Sequence, residues 1–327
     1  MQNLRSWLAV ALLGACVATA HAEELVVSNY AVSANGMPFG VAMAKGYFKD
    51  EGLNITGLIS SAGGGTTLRN MLAGGGSPYG EVNPVAVVSA VLAGADLKIV
   101  SDNVLTVAEF VWAVRPDSPI KTIKDLKGRK IGYTNPRSTS QALANLMLEG
   151  AGYKPGEVEM VKTGGFGEGV AALEAGQVDI VPITEPLWSK YKSKFRAVVV
   201  ATDALPPLDN VVGVTTVEMA EKRGDFIRAV IRARRKAVAF MKANPDEAAE
   251  IVAKQYNIER DVAKSAIVNL TKSSTQGVPY WGEGDIHLEG LKRMIEAQRK
   301  VGAISGEVDY AKLIDTRFLP DDLKTIK

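Results

Sequence analysis

Residues 130–183 read KIGYTNPRSTSQALANLMLEGAGYKPGEVEMVKTGGFGEGVAALEAGQVDIVPI, and the pattern of this stretch decides the fold. Lys130 to Thr134 forms a short apolar strand, Thr139 to Ala151 a helical repeat and Val158 to Val161 a second strand. Glu168 to Ala175 is then helical again, and Val178 to Ile183 is a third strand. Strands separated by helices of this length predict parallel βαβ units with helices on both faces of a sheet, because a parallel neighbour needs a crossover. The same alternation is already present upstream. Leu25 to Ser28, Asn54 to Ser60 and Leu97 to Val100 read as strands, and Pro38 to Phe48, Thr66 to Ala73 and Asn83 to Ala93 as helices.

Between the two sets the chain is extended and apolar, from Val104 to Val114, with a strand expected at Glu109 to Arg115. Pro206-Pro207 punctuates the return before a strand-like run at Val211 to Thr215, and the sequence is mostly helical from Val217. A chain that builds one α/β lobe, crosses to a second and comes back makes a two-lobed body with two connecting segments. The cleft between the lobes is the natural ligand site, since open α/β sheets bind ligands at strand carboxyl ends. The expected division is residues 23–108 with 212–327 in the first lobe and 109–211 in the second. In the helix from Asp225 to Lys242, apolar residues recur at i, i+3 and i+4, so Arg228, Arg232, Arg234, Arg235 and Lys236 are expected on a solvated face.

The 327 residues are 46% hydrophobic and 23% charged, which describes a globular protein rather than a disordered chain or a multi-span membrane protein. A formal charge of +2 gives no reason to expect a nucleic-acid partner. The first 22 residues differ from the rest. Arg5 precedes an apolar run from Trp7 to Val17, and Ala20-His21-Ala22 fits the small-residue pattern of a secretory leader cleaved after Ala22. Leu13-Gly14-Ala15-Cys16 offers the alternative of a lipid anchor on Cys16. Either way the expected location is periplasmic. Cleavage after Ala22 leaves no cysteine and His287 as the sole histidine, so neither a zinc site nor a Cys-His pair can be assembled. No metal or cofactor is expected. Gly164-Gly165-Phe166-Gly167-Glu168-Gly169 does not fit the dinucleotide fingerprint, and no phosphate loop or nucleophile-elbow motif accompanies His287.

The chemistry therefore falls to the loops between strands and helices. Asn83-Pro84 is an N-cap followed by proline, Ser138-Thr139-Ser140 opens a long helix with hydroxyls, and Thr184-Glu185-Pro186 starts another. Gly63-Gly64-Gly65 lets backbone approach a bound group closely. Helix N-termini attract anions, so several of them on one cleft would suit a carboxylate, sulfonate or phosphate. Glu81 and Glu185, near strand ends, would either meet an amino or hydroxyl group of a ligand or pair with a nearby arginine. Aromatic residues near these loops, Phe166 among them, suit stacking on a planar ligand or packing between lobes.

Several motifs occur in an order that resembles one family. Pro38-Phe39-Gly40-Val41-Ala42-Met43-Ala44-Lys45-Gly46-Tyr47-Phe48, with Glu51-Gly52-Leu53 after it, is similar to the first-helix signature of the solute-binding proteins that serve importers of nitrate, sulfonates, taurine and thiamine-type pyrimidines. Gly63-Gly64-Gly65-Thr66, Ile123 to Gly132, Ser138 to Ser140, Leu173 to Asp179, Glu185-Pro186 and Val308 to Leu319 continue the resemblance over nearly the whole chain. It implies a type II periplasmic binding fold, with two α/β lobes, two crossing segments and a ligand cleft. It further implies a non-enzymatic, monomeric solute-binding component that hands a small organic anion to a membrane permease and its ATPase. The site residues it implies are Ser33, Asn35, Ala62, Gly63, Gly64, Glu81, Asn83, Ser138, Thr139, Ser140, Thr184 and Glu185. A pyrimidine-precursor binder, a thiamine-pyrimidine synthase-like enzyme and a periplasmic sensor subunit are the alternatives. The small, polar Ser33-Ala34-Asn35-Gly36 stands where pyrimidine-binding members are histidine-rich and aromatic, and the enzymatic branch uses histidine and cysteine motifs that this chain lacks.

Overall fold

The computed structural model describes residues 22–61, 63–73 and 77–327. The expected leader up to residue 21 lies outside the described residues, as does Ala62. Ala22 itself opens the first strand, β1 (Ala22–Ser28), whose Leu25, Val26 and Val27 have no exposed surface. A strand with consecutive buried apolar residues is covered on both faces, as the alternating pattern requires. α1 (Met37–Ala44), α2 (Tyr47–Asp50), β2 (Asn54–Ser61), α3 (Gly64–Leu72), β3 (Gly80–Val82), α4 (Pro84–Leu92) and β4 (Leu97–Val104) follow. The helix expected from Pro38 to Phe48 is broken because Gly46 adopts φ 75°, a left-handed conformation that ends α1 and starts α2.

β5 (Phe110–Val114), β6 (Lys130–Tyr133), α5 (Thr139–Gly150), β7 (Glu159–Lys162), α6 (Phe166–Glu174), β8 (Val181–Thr184), α7 (Leu187–Tyr191) and β9 (Arg196–Val200) build the second lobe. The short α8 (Ala201–Ala204) leads to β10 (Val211–Thr216) and to α9 (Val217–Lys222). α10 (Gly224–Ala243), α11 (Pro245–Tyr256), α12 (Arg260–Lys272), a hairpin of β11 (Ser274–Thr275) and β12 (Val278–Pro279), β13 (Trp281–Gly284) and α13 (Leu288–Lys300) come next.

The first sheet has the strand order β2-β1-β3-β10-β4-β13. β1 runs parallel to β2 and β3, whereas β10 is antiparallel to β3 and β4. In the second lobe β6 and β7 are parallel, and β5 is antiparallel to β8 on one side and β9 on the other. A parallel bridge from Ile131 to Ile180, with the Gly132 amide donating to the Ile180 carbonyl at 2.8 Å, joins β6 to the chain entering β8. The resulting order, β7-β6-β8-β5-β9, repeats that of the first lobe. Each lobe thus contains one inner antiparallel strand, and it is the strand laid down by the chain arriving from the other lobe. The sequence pattern predicts parallel units and misses this inversion. A chain that enters an adjacent sheet through a short extended link has no helix to carry it back to a parallel start.

α10 departs from its expected solvated face at one residue. Arg232 and Lys236 pair with Glu51, and Arg235 pairs with Glu283 and Asp322 at the surface. Arg234, one turn beyond Val230 and Ile231, falls on the buried face instead and is 2% exposed. It donates to the carbonyls of Gly282 (2.7 Å) and Asn103 (2.6 Å), tying α10 to β4 and β13. The last helices also reach the second lobe: Met294 of α13 sits in that lobe's core, and Lys300 pairs with Glu149 of α5 at 2.7 Å.

Gly213 shows how tightly the returning strand is seated. A Cβ there would lie 2.2 Å from both Ser101 Oγ and Tyr79 Oη, two buried hydroxyls 3.0 Å apart. Gly213→Ala is expected to lower the unfolding free energy by about 1–3 kcal/mol, read from urea denaturation. A variant as stable as the parent would contradict this packing.

Candidate functional site

A cleft of about 890 Å³ lies between the lobes. Its walls are made by the starts of four helices, each with a different local solution at its N-terminus. α3 begins after Gly63, at φ 77°, and a Cβ on Gly64 would stand 2.5 Å from the Ala86 methyl, so glycine lets α3 meet α4 this closely. Asn83 caps α4: its Oδ1 accepts from the Val85 amide at 2.9 Å, and Pro84 occupies the first helical position without needing a donor. Ser138 caps α5, accepting from the Gln141 amide at 3.2 Å. α6 starts after Gly165 with no side-chain cap. The four starts come two from each lobe, and all border the same cavity. α4 offers no free donor, its Val85 and Ala86 amides being bonded to Asn83. The uncapped starts of α3 and α6 leave their first amides for a ligand, and the positive ends of four helix dipoles meet at one space.

Ser33, Asn35, Gly63, Gly64, Asn83, Ser138, Thr139, Ser140 and Thr184 all line the cleft. Their roles differ. Asn83 spans the lobes, its Nδ2 donating to Thr139 Oγ1 at 3.2 Å and to the Asn210 carbonyl at 3.3 Å. Ser140, 1% exposed, accepts from the Thr134 amide at 2.9 Å and so pins the turn that presents Ser138. Asn35 donates to the Ser28 carbonyl and to Glu81, both at 2.9 Å.

Two expected ligand contacts turn away from the cleft. Glu81 is fully buried in the central strand β3, where it accepts from Asn35 and Asn103 and lies 3.6 Å from Arg234 Nε. Burial pushes its carboxyl above the ordinary range, opposed chiefly by Arg234. Glu185 accepts from the Ser189 amide at 3.0 Å and from Asn269 Nδ2 at 2.7 Å, which fastens α7 to α12 across the lobes. The carboxylates serve the scaffold because each is taken up by protein donors, Asn35 and Asn103 for Glu81, and the Ser189 amide and Asn269 for Glu185. Ala62, the remaining expected contact, lies outside the described residues.

The sequence reading missed Glu109, Phe110 and Asn210, which form the cleft floor where the crossing segments meet. Glu109 is 5% exposed. One of its carboxyl oxygens accepts from Asn210 Nδ2, and the other, Oε2, has no hydrogen-bond partner. Burial pushes its pKa up to about 8. The available signal was a single acid inside the apolar run Val104 to Val114. Phe110 packs edge-on against Phe166 at 5.8 Å between ring centres, and Arg137 brings a guanidinium to the rim.

Residues 33–248 match the family described as NMT1/THI5 like. The chain belongs to that family. Over 321 residues it is 24% identical to a Bacillus subtilis protein named for binding aliphatic sulfonates, covering 95% of this chain and 92% of the relative. It is 23% identical over 316 residues to the riboflavin-binding protein RibY of Chloroflexus aurantiacus, covering 91% and 86%. Among solved structures, the periplasmic aliphatic sulphonate binding protein SsuA of Escherichia coli superposes with a TM-score of 0.76 at 20% identity, covering 90% of this chain and 92% of that one. The desulfurization enzyme DszB superposes with a TM-score of 0.65 at 15% identity, covering 91% and 97%. The fold is therefore the two-lobed periplasmic binding fold, and within it both binding proteins and an enzyme occur.

Two measurements probe these buried charges. Arg234→Met strands the Glu81 carboxyl without its cation and is expected to cost about 3–5 kcal/mol of stability. Adding Glu81→Gln should restore part of that loss, and a single variant as stable as the parent would refute the pairing. For Glu109, the native state holds a proton that the unfolded chain, near 4.5, releases earlier. Its contribution to stability is complete below about pH 4.5 and is lost as the pH rises through 8. The fall in urea midpoint over that window should be shallower in Glu109→Gln than in the parent. Parallel curves would show that Glu109 titrates normally.

Proposed function

We propose that this chain is the exported solute-binding component of an ABC importer, capturing a small organic anion in the inter-lobe cleft and presenting it to a permease and its ATPase. The observation that carries the reading is the convergence of four helix N-termini from both lobes on one cavity. Such an arrangement holds negative charge with backbone donors already in place. The cleft is larger than an inorganic oxyanion needs, and Phe110, Phe166, Leu187 and Val32, the last 67% exposed, give it an apolar wall for an organic body. The sulfonate-binding relatives agree with an anionic head, and the riboflavin-binding one shows how far ligand identity shifts within similar sequences.

Residues 23–108 with 212–327 would move as one lobe against 109–211 about the two crossing segments. The Asn83–Thr139 contact already links helix starts of opposite lobes. Binding rather than catalysis fits the lining, which includes no histidine or cysteine among the described residues, while His287 is held by Asp285 at 2.8 Å. A nucleophile paired with a histidine base, or a cysteine nucleophile, has nothing to be built from there.

Thermal denaturation with a panel of ethanesulfonate, benzenesulfonate, benzoate, taurine, nitrate and an aminopyrimidine tests the reading. A ligand present at 100 times its Kd should stabilise the protein by about 2.7 kcal/mol. Stabilisation by organic anions is the expected result. Stabilisation by the aminopyrimidine alone, or by none of the panel, would overturn the anion assignment.

A further inference from the structure

Glu109 is the one carboxyl group in the cleft wall, among the described residues, that is both buried and incompletely bonded; Glu168, the other acid there, is exposed. It sits where the two crossing segments are stapled. The Asn210 amide donates to the Val104 carbonyl at 2.8 Å, the Asn210 side chain donates to Glu109, and the Glu185 amide donates to the Glu109 carbonyl at 3.1 Å. Asn210 also accepts from Asn83, so Glu109 is one side chain removed from the caps of α4 and α5.

Among the described residues, no cation pairs with Glu109. The Asn210 side chain that bonds it is an uncharged amide, and the phenol of Tyr280, between β12 and β13, feels its charge. Glu185 is committed to Ser189 and Asn269, and Asp209 faces Asp102, Asp285 and Arg293. Arg234 is engaged with Glu81 and two carbonyls, and Arg137 stands at the exposed rim of the opposite wall. A buried carboxyl without a counter-charge is held as the neutral acid. As a neutral acid it carries a hydroxyl donor and does not repel a negative ligand.

We propose that Glu109 is a specificity-determining residue of the cleft, which in its protonated form turns its carboxyl, closed to water in this structure, toward the cavity it lines and donates a hydrogen bond to an oxygen of the bound anion. The inference rests on the anion-binding reading given above and adds a proton to it. The ligand class is an oxyanion, carboxylate or sulfonate, that needs a hydroxyl donor besides the backbone amides. Loss of the proton replaces a donor by a like charge, so capture weakens in alkaline medium. Burial, which pushes the Glu109 carboxyl up to about 8, sets where this begins.

Calorimetric titrations of the full chain with ethanesulfonate, benzenesulfonate and benzoate, between about pH 6 and about pH 9.5, test it, since none of these anions changes charge in that range. For the parent, Kd should be flat at low pH and rise about tenfold per pH unit above 8. Glu109→Gln keeps a donor but cannot ionise. Its Kd should not vary over the range, and at pH 7 it should bind about tenfold more tightly than Glu109→Ala. Circular dichroism confirms that each variant is folded. Parent binding that is independent of pH, or equal affinities for the Gln and Ala variants, overturns this inference and leaves the anion-binding cleft intact. Affinity that rises with pH, or a Glu109→Gln variant that keeps the pH dependence of the parent, places the titrating group elsewhere and also overturns it. Failure of the parent to bind any of the three anions at any pH overturns the anion-binding reading and this inference with it.

Discussion

Each lobe is closed by a strand that belongs, by chain order, to the crossing from the other lobe. β10 lies between β3 and β4, and β5 lies between β8 and β9, hydrogen-bonded on both sides. Neither can be withdrawn without opening a sheet along its middle. This constraint fixes where the two crossing segments run and brings Glu109 and Asn210 side by side at the cleft floor. The lobes have separate cores, but they are covalently and topologically interleaved at the point where a ligand would sit.

Around that floor the electrostatics are arranged with few free charges. The positive potential at the cleft comes from helix starts, whose dipoles are already oriented and need no side-chain ordering. Beneath one wall, Arg234 and Glu81 face each other while fully buried; Asn35 and Asn103 donate to the Glu81 carboxyl, and Tyr79 and Ser101 bond in turn to Asn103. The network holds Asn35, and through it the turn bearing Ser33, at a set height above β1. A buried pair of this kind is weak as a source of stability but strongly resists losing one partner. Its value here is positional.

Most of the helices and strands were legible in the sequence because alternation of apolar runs with amphipathic repeats reports burial directly. The caps at Asn83 and Ser138 were legible for the same local reason, since capping is decided within three residues. What depends on distant parts of the chain was not. The inverted strands are set by how two lobes interleave, the inward turn of Arg234 by a carboxylate on β3, and the retreat of Glu81 and Glu185 by donors on α10, α7 and α12. Glu109 was hidden because a single acid in an apolar run reads equally as a strand edge. The convergence of four helix starts is a property of the assembled lobes and leaves no mark in any one loop.

The interleaved strands also order events in time. All strands of the second lobe lie within residues 110–200, whereas the first lobe waits for β10, which pairs Val212 with Val82, and for β13, which places Trp281 opposite Val104. Closing so long a loop is slow, because its entropy must be lost before the contacts repay it. An emerging chain therefore carries an unfinished first sheet, with the β3–β4 gap open until β10 is made and the outer side of β4 uncovered until β13 follows. The second lobe can therefore close on itself while the first still waits for strands made later in the chain.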